Sequence, residues 1–288
     1  MLASLVLVGC VAGCTEPESL PQDIETPFSG GVLDAQGPLS LSTEAFAPLL
    51  RQPLLEGLNL RHLKDDRGEL VVVIAELSRF DASVVGIGER YPQGVTIEQL
   101  MAEPSTALLV GSGFVSELNA LTPVGLLQID DRVVSRIQRH GYTRVLGVDA
   151  QRFGVVDHLS FERGLFPSAL QAGPGVVEQG EVDILPRDLE RRPYYRALVG
   201  TCVDRTLFIA SLTPIHLYSV GQMIVELAAR EGLACDEVVN LAGDREALLA
   251  VRTAGGKVLY LGQPRTSKAA MVRLAVRDVD LLSGDELQ

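Results

Sequence analysis

Short runs of apolar residues, rich in Val, Ile and Leu, recur along most of this 288-residue chain. Each run holds four to six residues, which suits a buried β-strand and is too short for a typical packed helix. The runs lie at 70–75, 107–110, 124–129, 144–148, 206–210, 238–241, 258–261 and 271–276. The pattern therefore predicts a fold built mainly on β-sheet.

Two dipeptides between apolar segments have the composition of tight turns. They are Asp130-Asp131 and Gly255-Gly256. Two-residue turns of this kind join strands that are antiparallel neighbours, whereas parallel neighbours need a long crossover. We therefore expect hairpins to connect several of the predicted strands.

Helical spacing is clear in two segments. At 96–102, Thr96 is a suitable N-cap and Gln99 stands three residues later, which is the capping-box arrangement. The second segment, 219–231, is followed by Gly232, a residue type that commonly ends helices. Because strands outnumber helices, we predict an α+β fold, with a largely antiparallel twisted β-sheet and a few packed helices in a single domain.

The charge and composition of the chain exclude some classes of binding partner. The formal net charge is −12 and the pI is near 4.8, which opposes long-range attraction to nucleic acid. Trp is absent and aromatic residues make up 5% of the chain, which argues against an exposed platform for stacking bases. We expect no nucleic-acid partner, and an anionic substrate would have to be held by individual arginines.

The N-terminal segment resembles an export signal. Residues 2–13 are uncharged and mostly apolar, too short for a membrane span of about 20 residues. Cys10 and Cys14 each follow a small-residue triplet that resembles a bacterial lipobox. Cys14 is the preferred lipidation site because Cys10 leaves a very short signal. An apolar segment with incidental Cys is the alternative.

This interpretation sets the expected domain boundaries. Residues 1–14 form the lipoprotein-type signal, and 15–53 form a disordered tether and transition, since 15–31 holds three Pro and four acidic residues. The folded domain is placed at 54–278, and 279–288 form an acidic tail. The expected location is the bacterial cell envelope, periplasmic or on the outer surface, with a membrane contact through the lipid anchor.

Common cofactor and metal signatures are missing. The four His residues, at 62, 140, 158 and 216, are far apart in sequence, and none forms an i, i+4 pair. Gly86 and Gly88 lack the third glycine of a dinucleotide-binding loop. The spacing of Gly111 and Gly113 around Ser112 does not fit a nucleophile elbow. The sequence predicts no cofactor and contains no metal-binding loop; a metal held by acidic residues from separate segments is the alternative.

Five short segments are more informative in their order than singly. They are Gly111-Ser112-Gly113-Phe114, Pro123-Val124-Gly125, Gln171-Ala172-Gly173-Pro174, Arg196-Ala197-Leu198-Val199-Gly200 and Asn240-Leu241-Ala242-Gly243. In this order they resemble the phosphodiester glycosidase family, whose members carry NGGFF, P-x-G, QxGP, RTAIG and a final NLDGG turn. The resemblance spans roughly residues 54–278.

The resemblance implies a substrate and a set of binding residues. The family cleaves the sugar C1–O bond of a sugar phosphodiester, so a sugar phosphodiester or a related envelope glycan is the expected partner. Arg196 would hold the phosphodiester oxygens, because a guanidinium can bind them bidentately. The matching positions imply substrate-binding roles for Ser112, Gly113, Gln171, Gly173, Asn240 and Gly243. Ordinary structural roles in turns and strand pairing are the alternative for each.

Departures from the family pattern leave the activity open. Ser112 replaces the Asn of NGGFF, and Ala242 replaces the Asp of NLDGG. Glycosyl transfer needs a carboxylate for proton transfer, and Asp244 is the candidate replacement. Either the protein is a divergent hydrolase with Asp244 and Arg196 as catalytic residues, or it is an inactive member that binds a glycan or a protein. The sequence identifies no particular protein partner.

Two Cys residues remain in the predicted domain, Cys202 and Cys235. In an exported protein such a pair is expected to form a disulfide, which would brace the turn after 238–241. Two buried free thiols are the alternative.

Overall fold

A computed structural model of the chain describes residues 29–277 apart from 35–36, 92–94, 117–118, 263 and 265–267. The predicted signal with Cys14, the first part of the tether and the acidic tail lie outside the described residues. Among the helices that are described, none is both long and apolar enough to cross a bilayer.

The described elements are mostly strands. In chain order they are β1 (Ser29–Asp34), β2 (Gly37–Leu41), β3 (Leu58–Asp65), β4 (Gly68–Ala75), β5 (Phe80–Gly86), β6 (Thr106–Ser112), β7 (Phe114–Ser116), β8 (Asn119–Val124), β9 (Leu127–Ile129), β10 (Arg132–Ser135), β11 (Arg144–Asp149), β12 (Arg152–Asp157), β13 (Ser168–Ala172), β14 (Gly175–Glu178), β15 (Glu181–Val182), β16 (Arg196–Cys202), β17 (Thr206–Ser211), β18 (Cys235–Gly243), β19 (Leu248–Arg252), β20 (Val258–Gly262) and β21 (Ala270–Val276). The α-helices are α1 (Thr43–Phe46), α2 (Ile87–Arg90), α3 (Ile97–Met101) and α4 (Leu217–Glu231), and 3-10 turns lie at Ala47–Arg51, Leu77–Arg79, Pro186–Glu190 and Asp244–Glu246.

The strands form three large sheets and one hairpin. Sheet I has the order β2-β1-β20-β19-β6-β21-β5, sheet II has the order β15-β14-β18-β16-β17-β4-β3, and sheet III has the order β10-β9-β13-β11-β12. β7 and β8 pair separately. Every described pairing is antiparallel. The predicted α+β fold on a largely antiparallel sheet is confirmed.

The main core contains residues of all three sheets. The strand β4 is apolar along most of its length because both of its faces are buried. Val71 and Val73 of β4 face the main core together with residues of sheets I and III. Leu70 and Val72 face the opposite way, against α4. Side chains alternate between the two faces of a strand, so a strand buried on both faces reads as a continuous apolar run.

The predicted turns and caps are present. Asp130 and Asp131 both have left-handed backbone angles, with φ of 49° and 64°, and they join β9 to β10 as a two-residue hairpin turn does. Thr96 and Gln99 form a complete capping box at the start of α3. Gly232 ends α4 in the left-handed conformation.

The folded region begins earlier than the predicted boundary at residue 54. β1 pairs with β20, so the hairpin of β1 and β2 extends sheet I. Phe46 and Leu50, in the predicted transition, are buried in the main core. The boundary placed at residue 54 is therefore too late, because strand pairing and a few large apolar residues build part of the predicted tether and transition into the fold.

The run at 124–129 is not one strand as predicted. β8 ends at Val124, and β9 begins at Leu127. Gly125 between them has a φ of 91°, and a Cβ there would lie 2.6 Å from Oε1 of Gln171. The chain breaks at this glycine because the buried Gln171 side chain occupies the space beside it.

Candidate functional site

The end of β18 places a carboxylate in a fixed turn. β18 lies between β14 and β16 in sheet II, and its last residue, Gly243, pairs with Arg196 of β16. Asp244 follows with a left-handed φ of 45°. Its backbone N–H donates to the Tyr195 carbonyl at 2.9 Å, and its Oδ1 accepts from the Tyr195 N–H at 3.2 Å. Both bonds stabilise a conformation that most residues avoid.

Arg196 presents a largely buried cation beside this turn. Its guanidinium lies over the Tyr194 ring, 5.0 Å from the ring centroid, and its Nε has no hydrogen-bond partner among the described residues. Burial lowers the pKa of Arg196, and the negative charges of Asp188 and Asp244 act against that shift. Neither carboxylate forms a salt bridge with the guanidinium within the described structure, so part of its hydrogen-bonding capacity is available to an anion.

A second buried cation contacts the same turn. Lys268 is 5% exposed, and its Nζ donates to the Arg245 carbonyl at 2.6 Å. Burial lowers the pKa of Lys268 to about 7, although the charge of Glu246 favours the protonated form. Burial and the same Glu246 charge raise the pKa of Tyr142. Arg196, Asp244, Glu246, Lys268 and Tyr142 are called the site cluster below.

The end of β6, which carries Ser112 and directly precedes Gly113, borders the site cluster. A Cβ on Gly111 would lie 2.6 Å from the Glu246 carbonyl oxygen, so β6 ends against the Asp244–Glu246 turn. Ser112 pairs through its backbone with Ala270 of β21. Gly113 has a φ of 84°, and a Cβ there would meet no described atom within 4 Å. The backbone at Gly113 therefore faces open space.

The Gln171 side chain holds the loop that carries Tyr142 of the site cluster. Its Oε1 accepts from the backbone N–H groups of Leu126 and Gln138, and its Nε2 donates to the carbonyls of Gln138 and Tyr142 at 2.7 Å each. An amide has two donors and two acceptor lone pairs, so these four bonds use the whole group. Gln171 was predicted to bind substrate, but in this structure its amide instead fixes the loop that carries Tyr142.

Tyr142 connects this loop to the β7 strand. Its ring stacks on Phe114 with a centroid separation of 4.1 Å. Phe114 directly follows Gly113, so the stacked pair extends from the buried Gln171 amide toward the open space at the end of β6.

Asn240 and Gly173 form one hydrogen-bonded unit in the adjacent interior. The Gly173 N–H donates to the Asn240 carbonyl at 2.8 Å, and the Asn240 Nδ2 donates to the Gly173 carbonyl at 3.2 Å. Asn240 is 1% exposed, and its Oδ1 has no partner in the part of the chain that is described. The resemblance implies substrate-binding roles for both residues, but here the buried Asn240 amide bonds to the Gly173 backbone, and only its Oδ1 lacks a partner among the described residues.

Comparisons with known proteins agree with this geometry at the level of fold. Neither a protein-family model nor a curated protein matches the chain. Among solved structures, the zebrafish N-acetylglucosamine-1-phosphodiester alpha-N-acetylglucosaminidase catalytic domain, auto-inhibited by its pro-peptide, matches with a TM-score of 0.52 and 15% identity, over 79% of this chain and 85% of that one.

The chain has a phosphodiester glycosidase-like fold.

A second solved structure, a hypothetical protein from Synechocystis, matches with a TM-score of 0.50 and 12% identity, over 76% of this chain and 62% of that one. At these identities the likeness concerns the fold alone. The resemblance drawn from five ordered segments is thus supported by a comparison that covers most of the chain.

Several residues of the site cluster have no counterpart in the predicted set. Sequence reasoning missed Lys268, Tyr142 and the role of Glu246. The available signal for Lys268 was a single cation directly before the apolar segment that forms β21. Tyr142 gave no usable signal, because its position depends on hydrogen bonds to Gln171, which lies 29 residues away in sequence.

Cys202 and Cys235 form a disulfide between β16 and β18. Cys235 begins β18, whereas Asp244 follows its last residue. At about 3.3 Å per residue, roughly 26 Å of strand separates the disulfide from Gly243. The disulfide therefore braces the far end of the β16–β18 ladder, and the expectation that it braces the site turn is wrong.

Metal ligands are not assembled in the described part of the chain, where no group of three His, Cys, Asp or Glu side chains could hold an ion.

Proposed function

We propose that this protein binds the phosphate of a sugar phosphodiester at Arg196 and hydrolyses the sugar C1–O bond with the help of Asp244. The surroundings of the Arg196 guanidinium support this proposal. It is largely buried, it lacks a salt bridge to any described carboxylate, and its Nε is unpartnered. A desolvated cation of this kind is costly unless a ligand compensates it.

A phosphodiester fits this cation better than a neutral sugar does. The guanidinium can donate two parallel hydrogen bonds to phosphate oxygens, and the Tyr194 ring holds its plane from one side. The open space beside Gly113 would receive the sugar, with the stacked rings of Phe114 and Tyr142 next to it. The family resemblance suggests the class of substrate, and Arg196 is the residue proposed to bind its phosphate.

In the proposed hydrolysis, Arg196 and Asp244 have different roles. Water attacks C1 of the sugar, the C1–O bond breaks, and its electron pair stays on the departing phosphate monoester, which Arg196 stabilises. The Asp244 carboxylate accepts the proton from the attacking water, as a general base does. Asp244 suits this role because Tyr195 fixes its carboxylate while its charge still acts on Arg196.

The second candidate function is that of an inactive binding module, and the residue at position 242 favours it. Ala242 occupies the position where the resembling family has Asp, and its side chain is fully buried in the main core. The family's carboxylate therefore has no direct replacement at its own position. In this case Arg196 would bind a glycan or a protein partner without turnover.

The proposed location is the cell envelope, with Cys14 as the lipidated residue. The Cys202–Cys235 disulfide supports an oxidising compartment. Metabolic labelling of the full-length protein with a fatty acid tests the anchor: label should persist in Cys10→Ser and disappear in Cys14→Ser. Wild-type protein without label would refute the lipoprotein proposal.

A product assay on the full chain separates hydrolysis from binding. Sugar-1-phosphodiesters are incubated with the protein, and the free reducing sugar and the phosphate monoester are measured. We expect both products with wild type, loss of both with Arg196→Ala and Asp244→Asn, and no change with the exposed control Asp66→Asn. Binding without products would support the inactive module, and loss of activity in Glu246→Gln alone would move the base from Asp244 to Glu246.

A further inference from the structure

A cavity of about 580 Å³ lies on the outer side of sheet III, within the usual size range of small-molecule sites. One face of sheet III contributes Leu127 and Leu146 to the main core. The opposite face carries a smaller apolar cluster that includes Leu126, Val133 and Phe161. These three residues line the cavity, so its floor is apolar.

Three arginines line the same cavity: Arg136, Arg139 and Arg163. None of their guanidinium groups has a hydrogen bond or salt bridge to a described residue. Elsewhere in the described structure many arginines are paired with carboxylates, as Arg67 is with Asp65 and Glu226. Three unpaired arginines around one apolar hollow are unexpected in a chain with 37 acidic and 25 basic residues.

Two buried side chains hold the arginine-bearing loop in place. The Gln171 amide bonds to both the N–H and the carbonyl of Gln138. The ring nitrogens of His158 lie 3.1 Å from the Thr143 carbonyl oxygen and 3.2 Å from the Arg139 carbonyl oxygen. Arg136 and Arg139 flank Gln138 closely, so their backbones are fixed before any ligand arrives, which reduces the entropy cost of binding.

We propose that this cavity binds a soluble single-chain anionic amphiphile. Its hydrocarbon part would contact Leu126, Val133 and Phe161, and its phosphate or carboxylate would be held by arginine guanidinium groups. A monomeric ligand is favoured over a bilayer surface because the apolar side chains and the arginines line one hollow of about 580 Å³, the size of a small-molecule site. The cavity lining shares no residue with the site cluster, so this ligand is additional to the sugar phosphodiester.

Calorimetric titration of the full chain with decyl phosphate, below its micelle concentration, tests the proposal. We expect one saturable site. Decanol and inorganic phosphate each lack one half of the recognised chemistry, so each should bind at least 10-fold more weakly. The double variant Arg139→Gln/Arg163→Gln should lose at least 10-fold in affinity for decyl phosphate, and Phe161→Ala should lose affinity as well.

The matched control is Arg230→Gln, which removes one exposed positive charge on α4 and should leave binding unchanged. The arginines of the cavity are exposed, so their substitution should preserve the circular dichroism spectrum. Equal binding by wild type and the double variant would overturn the proposal, as would inorganic phosphate binding as tightly as decyl phosphate. Binding to phosphatidylglycerol vesicles without binding to decyl phosphate would overturn it in favour of a membrane contact.

Discussion

Asp244 and Tyr195 exchange two hydrogen bonds across the end of the β16–β18 ladder. The Asp244 N–H donates to the Tyr195 carbonyl at 2.9 Å, and the Tyr195 N–H donates to Asp244 Oδ1 at 3.2 Å. Tyr195 directly precedes Arg196. These two bonds therefore fix the Asp244 carboxylate relative to the Arg196 guanidinium, although the two groups form no direct salt bridge.

Asp244→Asn separates the charge of this residue from its structural role. Asn tolerates left-handed backbone angles and keeps an oxygen for the Tyr195 N–H, so the free energy of unfolding should change by less than about 1 kcal/mol. Sugar release should fall about 100-fold or more, since general acid–base groups contribute roughly 10²–10⁴-fold. Denaturant titration and initial rates check the two expectations, and a variant that retains the wild-type rate would exclude Asp244 as the base.

Lys268 should make stability rise with pH. Burial lowers its pKa from 10.5 to about 7, so between those values the unfolded chain binds more protons than the folded one, and the free energy of unfolding increases as pH rises. Lys268→Met removes this dependence. Its stability relative to wild type should be highest near pH 6 and should decline toward pH 10, as measured by urea unfolding. A pH-independent difference would show that Lys268 is not desolvated.

Glu237 should have the opposite effect in a lower pH window. Burial is the main cause that raises its pKa from 4.5 to about 7, and the Glu178 charge adds to it. Between these values the folded chain binds more protons than the unfolded one, so stability falls as pH rises.

In Glu237→Gln this loss should disappear. The difference in melting temperature between pH 5 and pH 8 should therefore be smaller in the variant than in wild type. Glu181→Gln, at an exposed position on β15, is the matched control and should behave as wild type. An equal pH response in all three proteins would contradict the raised pKa.

The disulfide should contribute to stability without affecting the site. It closes a sequence separation of 33 residues, for which the loss of unfolded-state entropy corresponds to about 3–4 kcal/mol. The double variant Cys202→Ala/Cys235→Ala should lose stability of this order in urea unfolding. Its affinity for a sugar phosphodiester should stay near the wild-type value at temperatures where it is folded, because the disulfide lies at the far end of β18. A large loss of affinity in the folded variant would contradict this separation.

Local sequence patterns predicted the parts of the fold that depend on local physics. The apolar run of β4, the Asp130-Asp131 turn and the Thr96 capping box each follow from neighbouring residues and occur as predicted. The β1–β2 hairpin was missed because its pairing partner, β20, lies more than 200 residues away in sequence. Composition alone could not reveal that contact.

The candidate site was predicted only in part, because several of its contacts join residues that are distant in sequence. Gly243 pairs with Arg196, and the end of β6 lies against the Asp244–Glu246 turn. The binding roles that the resemblance implies for these positions stay predictions. Gln171 has a different role from the one predicted, because its partners lie in loops up to 45 residues away. Lys268 could not be identified as a site residue because its burial and its bond to the turn exist only in the folded chain.

We infer that Arg196 is retained for binding an anionic substrate rather than for stability. Replacing Arg196 with Met tests it most directly, with stability and ligand affinity measured on the same protein. Removal of a desolvated cation without a salt bridge should raise the free energy of unfolding by about 1 kcal/mol. Loss of charge-assisted hydrogen bonds worth about 1.5–3 kcal/mol should weaken binding of a sugar phosphodiester at least 10-fold. A destabilised variant that still binds the phosphodiester with wild-type affinity would contradict the account.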